Sequence, residues 1–183
     1  MKWKMTIKIP NISLGEYGYE GTITLDAWSG FLTKKNGAFG LDFGGDMVID
    51  NPTIEDEHIA AYRYIVDNQY AIRDAVLEAL LKNYKDLQEH YGYEDEEAEQ
   101  YMPDVNEMGD FKKLIGLINV HVMNVYKNGM AYFGLEFDCT WDEEHGFGVM
   151  MYKDNVVELG GADKSILTWV AERAKNEIGN NLD

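Results

Sequence analysis

The dipeptide Asn128-Gly129 constrains this chain more than any other feature. Asn-Gly between two apolar-alternating segments is the strongest short signal for a two-residue β-hairpin loop, because both central residues must take positive φ. A loop at 128–129 sets Val122 opposite Leu135, Val120 opposite Phe137 and Ile118 opposite Cys139. The apolar side of each strand, read from its own alternation, then falls on one face of the sheet. The same register sets His121 opposite Glu136, and Asn119 opposite Asp138, on the other face.

The run Phe133, Leu135, Phe137, Cys139, Trp141 continues that apolar face. Cys139 is the only cysteine of the 183 residues, so it forms no intrachain disulfide. Pointing into the core, it is a poor nucleophile, since burial raises a thiol pKa. A loop through Asp142-Glu143-Glu144-His145 pairs Trp141 with Gly146, Phe137 with Met150 and Leu135 with Tyr152. Asp154-Asn155 then turns into Val157 and Leu159. The expected result is a β-meander over 117–160 with one shared apolar face. The second face holds Asn119, His121, Glu136 and Asp138 with Met123, Tyr132, Val149 and Met151.

Upstream, alternation predicts strands at 2–9 (Trp3, Met5, Ile7, Ile9), at 20–26 (Ile23, Leu25) and through Phe39, Leu41 and Phe43. The glycines among them lack the G-K-[ST] ending of a phosphate loop. Thr53 with Asp56 resembles a capping box, and helical spacing runs over 53–90 through Tyr62, Val66, Ile72, Val76, Leu80, Tyr84 and Leu87. Asp67-Asn68 are poor helix formers and predict a kink there. Gly92 stops the helix. A C-terminal helix over 163–178 is expected to open at Asp163 and to turn Ile166, Trp169 and Val170 inward. The fold class is therefore α+β, with antiparallel meander sheets packed against a long, kinked central helix and a C-terminal helix. One domain holds N-terminal strands at 2–49, the helical region at 53–90, an acidic loop at 91–112, the meander and the last helix.

Charge narrows the function. Sixteen Lys and Arg against 33 Asp and Glu leave −17. A phosphate backbone needs clustered cations, so nucleic acid is not an expected partner. No window approaches the ~20 apolar residues that span a bilayer, and the first ten residues do not read as a signal peptide. The expectation is a cytoplasmic protein in a reducing compartment. Eight of the 33 acids fall between 94 and 110 with no Lys or Arg among them. Glu94, Asp95, Glu96, Glu97, Glu99 and Asp104 are the candidate contacts for a basic partner. The EF-hand pattern is absent from this segment.

From Gly134 to Val149 the sequence resembles a family of uncharacterised bacterial domains whose signature is F-x-C-x-W-D-x-E-H-G-x-G-V. The resemblance covers 20–162 and picks out Phe137, Cys139, Trp141, Asp142, Glu144, His145, Gly146 and Gly148. It implies a fold and no mechanism. Phe137, Cys139, Trp141, Gly146 and Gly148 read as structural. Asp142, Glu144 and His145, joined by Glu136 or His121, form the alternative: a divalent-metal site or metal-dependent enzyme, since carboxylate with imidazole suits zinc, manganese or iron. Three ligands within four residues seldom close a tetrahedron, and Asp142 can instead accept backbone N–H groups in the turn. No catalytic residue and no cofactor is expected on the main reading. The compact acidic character is similar to immunity proteins of bacterial toxin systems. The functional expectation is a non-catalytic acidic binding protein of that type, with a basic protein as partner.

Overall fold

A computed structural model describes residues 9–33 and 36–177. The strand expected at 2–9 lies outside them apart from Ile9, which is buried.

Seven strands form one sheet in chain order: β1 (Ile12–Leu14), β2 (Tyr19–Thr24), β3 (Ala38–Phe43), β4 (Ile115–Lys127), β5 (Met130–Cys139), β6 (Phe147–Tyr152) and β7 (Asn155–Gly161). Every pairing is antiparallel except β3 with β4, which is parallel. The expected antiparallel meander is β4 to β7, and the parallel seam joins it to the N-terminal strands. A parallel neighbour needs a long crossover, and helices commonly supply one. Here α1 (Asp56–Asp67), α2 (Gln69–Tyr91) and α3 (Asp95–Tyr101) lie between the two strands in sequence. The N-terminal strands thus join the meander in a single α+β sheet.

Alternation in β2 and β3 sends Ile23, Phe39, Leu41 and Phe43 to the face covered by α1 and α2. Trp28 joins them and meets Phe137 edge-on at 5.0 Å between ring centroids, a geometry worth about 1 kcal/mol beyond area burial. The helix breaks where Asp67-Asn68 predicts: Asn68 ends α1 and precedes α2. Gly92 caps α2 at φ 65°. The N-cap of α1 is Glu55 rather than Thr53. Its box partner is His58, whose Nδ1 accepts the Glu55 backbone N–H at 2.9 Å. In α1 the buried apolar residues are Ala61 and Ile65, one position before the expected Tyr62 and Val66.

The hairpin turns at Asn128 (φ 48°) and Gly129 (φ 76°) as expected. Its register holds only for Lys127–Met130 and Tyr126–Ala131. An irregularity over 123–125 then sets Val122 opposite Phe133 and Val120 opposite Leu135, and a bulge at Ile118 sets Leu117 opposite Phe137 and Ile115 opposite Cys139. The first slip is even in length and keeps the faces. The second is odd, so Leu117 and Ile115 enter the core and Ile118 stays half-buried. His121 consequently faces Gly134, and Asn119 faces Glu136.

The β5–β6 connection spans 140–146, longer than expected, and pairs Phe137 with Phe147 and Leu135 with Val149. This odd shift turns Phe147, Val149 and Met151 to the main core, while Met150 and Tyr152 face the other side. The turn before β7 is at Lys153-Asp154, with Tyr152 opposite Asn155. A bulge between Met150 and Met151 divides β7: Leu159 packs on the main core and Val157 on the opposite face.

That opposite face is covered by the C-terminal segment, not left open and mixed. A 3-10 turn (Ala162–Ser165) leads into α4 (Thr168–Glu177), shorter than the helix expected from Asp163. Val170 and Ala171 of α4 close over Met123, Val125, Tyr132 and Met150. The two helical layers therefore sandwich the sheet instead of sharing one face. Trp169 is not inward. It is 49% exposed, with Lys164 and Arg173 over its ring. The 3-10 turn lies so close that a Cβ on Gly134 would stand 1.7 Å from the Ser165 carbonyl oxygen, and one on Gly148 2.6 Å from that of Ala162. These glycines are the seat of the C-terminal segment.

Candidate functional site

The chemistry-bearing side chains fall into three separate places. The first is the turn after β5. The Asp142 Oδ1 accepts the His145 backbone N–H at 3.1 Å and lies 3.0 Å from its Nδ1. The Gly146 N–H donates to the Asp142 carbonyl at 2.8 Å, and Gly146 takes φ 79°. Asp142 Oδ2 also receives the Tyr91 hydroxyl at 3.3 Å, and burial followed by the nearby carboxylate pushes that phenol up to about 12. Asp142 is thus occupied in shaping the loop, as a short polar side chain often is in a turn. Glu144 is exposed beside it. Cys139 is 2% exposed. Burial is the main cause that pushes its thiol up to about 12. Phe137, Trp141 and Phe147 pack around one another in this end of the core.

The second place is the middle of the sheet. The His121 ring lies between two carboxylates, with Nδ1 2.7 Å from Asp42 Oδ2 on β3 and Nε2 2.8 Å from Glu136 Oε2 on β5. Asn119 donates to the same Glu136 oxygen at 3.3 Å. Burial alone opposes the charged ring. The hydrogen bonds and charges of Asp42 and Glu136 outweigh it and raise the imidazole to about 9. The bond to His121 correspondingly lowers Glu136. The two carboxylates thus favour the charged form of the ring, and each of its nitrogens is engaged by one of them.

The metal set of Asp142, Glu144, His145, Glu136 and His121 does not assemble. Among the described residues no group of three or more His, Cys, Asp or Glu side chains is arranged to hold a metal ion. Asp142 with His145 and His121 with Glu136 form two independent pairs.

The third place is the acidic segment. It is a short helix, α3, then irregular chain over 102–107 and a 3-10 turn (Met108–Lys113). Helix α3 buries none of its residues. Glu94, Asp95, Glu96, Glu97, Glu99 and Asp104 are all exposed. The segment is held at its edges: Met102 is 1% exposed, the Thr140 hydroxyl donates to the Tyr101 carbonyl at 2.7 Å, and the Tyr93 hydroxyl donates to the Trp141 carbonyl at 2.9 Å.

Sequence reasoning did not reach Asp42 or His58. Alternation does place Asp42 opposite in sense to Leu41 and Phe43, but only the parallel β3–β4 pairing carries it to His121. His58 is 1% exposed and binds Asn124 Oδ1 at 2.9 Å, a contact across the crossover that has no local signal.

With these features in view, the chain belongs to the family described as domain of unknown function DUF6985, whose model matches residues 19–167. The match spans the sheet from β2 to the segment that seats on Gly134. No curated protein and no solved structure matches the chain. No helix among the described residues is long and apolar enough to cross a membrane.

Proposed function

We propose that the protein is a non-catalytic acidic binding protein of bacterial, immunity-like type, and that it receives a basic protein partner on the α3 surface. The observation that carries this is the exposure of Glu94, Asp95, Glu96, Glu97, Glu99 and Asp104 on a segment anchored by Met102 and Tyr93. A surface already ordered loses little conformational freedom on docking. Its charge adds to a net −17 that speeds encounter with a cationic partner. The engaged states of Cys139, His121 and Asp142 agree with binding rather than catalysis. A lone buried thiol suits a reducing, cytoplasmic setting.

The test is association with the purified product of the neighbouring gene across a range of salt concentrations. Replacing Glu94, Asp95, Glu96 and Glu97 by their amides is expected to lower the on-rate about tenfold at low salt and to flatten its salt dependence. An unchanged rate at low salt refutes the proposal.

A further inference from the structure

A cleft of about 340 Å³ opens on the side of the sheet away from α1 and α2, next to His121. Tyr17, Met47 and Val48 form its walls, at 71%, 43% and 78% exposure. His121 lies at its floor, and Glu20 and Asp42 bring carboxylates to it. Three large apolar side chains left in water around one cleft are a cost that a binding site would recover.

The charges are as unusual as the walls. Glu20 and Asp42 are directly opposite each other in the β2–β3 ladder. Like charges in that position destabilise a sheet. His121 engages one oxygen of Asp42 from below, but its charge is shared with Glu136 on its other side. Three carboxylates around one imidazolium leave the locality net negative. The wall is also fixed in place. Asp46, next to Met47, accepts the Thr168 backbone N–H at 2.9 Å and donates its own N–H to the Ile166 carbonyl at 3.0 Å. The loop is thereby tied to the start of α4 and stands ready without rearrangement.

We infer that this cleft receives a single arginine side chain of a basic polypeptide, its guanidinium bridging Glu20 and Asp42 and its methylenes lying against Tyr17, Met47 and Val48. A guanidinium fits two carboxylates through its planar fork of donors and stacks on an aromatic ring. Its aliphatic stem suits an apolar wall. The inference rests on the basic partner proposed above and adds a second, specific contact to it, away from α3.

The probe is the peptide acetyl-Ala-Ala-Arg-Ala-Ala-amide, titrated into the 15N,13C-labelled full chain and followed by NMR, with the citrulline peptide as the uncharged isostere. Saturable shifts of the Tyr17, Met47 and Val48 signals are expected with the arginine peptide below about 10 mM. Glu20→Gln is expected to weaken them about two- to fivefold, and the amide variants of Glu94 to Glu97 to leave them unchanged. Equal shifts with citrulline, shifts confined to α3, or no saturation would overturn the inference. Because the α3 variants report on the partner's on-rate and the peptide on the cleft, failure of one proposal is distinguishable from failure of the other.

Discussion

Asp42 on β3 holds Nδ1 of His121 on β4 at 2.7 Å, and so ties a buried imidazole to a half-exposed carboxylate across the one parallel seam of the sheet. Glu136 on β5 holds the other nitrogen. The imidazole is raised to about 9 in the folded chain, burial being overcome by the two acids, against about 6.5 unfolded. The folded state therefore binds the proton more tightly. Its contribution is complete below pH ~6.5 and is lost as pH rises through about 9. The loss is on the order of 3 kcal/mol. Urea unfolding at pH 6, 7.5 and 9 checks this: the difference in stability between the native chain and His121→Gln should shrink across that window. A constant difference would refute it.

His58 carries the opposite sign. Its Nδ1 accepts the Glu55 N–H, so Nε2 holds the proton and donates to Asn124. Protonating Nδ1 would set two donors against each other and undo the cap of α1. Burial lowers this imidazole first, with the Asn124 bond and the charges of Glu55 and Glu57 opposing in part. Its contribution is present above pH ~6.5 and falls away as pH drops through its depressed folded value. By NMR, His58 should titrate below the ordinary histidine range and His121 well above it. A His58 that protonates at an ordinary pH would contradict the assigned tautomer.

The sequence made local structure legible and non-local pairing much less so. The Asn128-Gly129 turn, the break at Asp67-Asn68, the stop at Gly92 and the burial of Cys139 were all read from neighbouring residues, and all are found. The register beyond the turn failed because bulges at Ile118 and over 123–125 leave no local composition mark. One odd slip in β6 was enough to exchange Met150 with Met151 between faces. Burial of Met123 and Tyr132 by α4, rather than by a shared helical face, followed from the same blind spot. Of the candidate sites, the exposure of the 94–104 carboxylates was legible. The Asp42–His121–Glu136 arrangement was half so, because Glu136 lies two residues along the same strand pair while Asp42 arrives from a strand far away in sequence.

Cys139 gives a chemical check of the core. The thiol is 2% exposed and raised by burial to about 12, so its thiolate fraction at pH 8 is negligible. Reaction with a disulfide reagent at pH 8 should be at least ~100-fold slower in the native chain than in urea. Rapid labelling without unfolding would show that this end of the core opens.

Gly134 tests the seat of the C-terminal segment. A Cβ there would stand 1.7 Å from the Ser165 carbonyl oxygen and 2.4 Å from its carbon, backbone atoms that cannot swing away as a side chain can. The turn Ala162–Ser165 must then lift from β5. Lifting it loosens Val170 and Ala171 over Met123 and Tyr132, and it shifts Ile166, which anchors Asp46. Gly134→Ala is expected to cost about 2–4 kcal/mol, at the upper end of overpacking because the clash is with main chain. The main core around Phe137 and Trp141 lies on the other face, so Cys139 should remain protected from thiol reagents in the same variant. Hydrogen exchange should accelerate in α4 before it does in α1. A variant as stable as the native chain would show that the segment does not rest on this glycine.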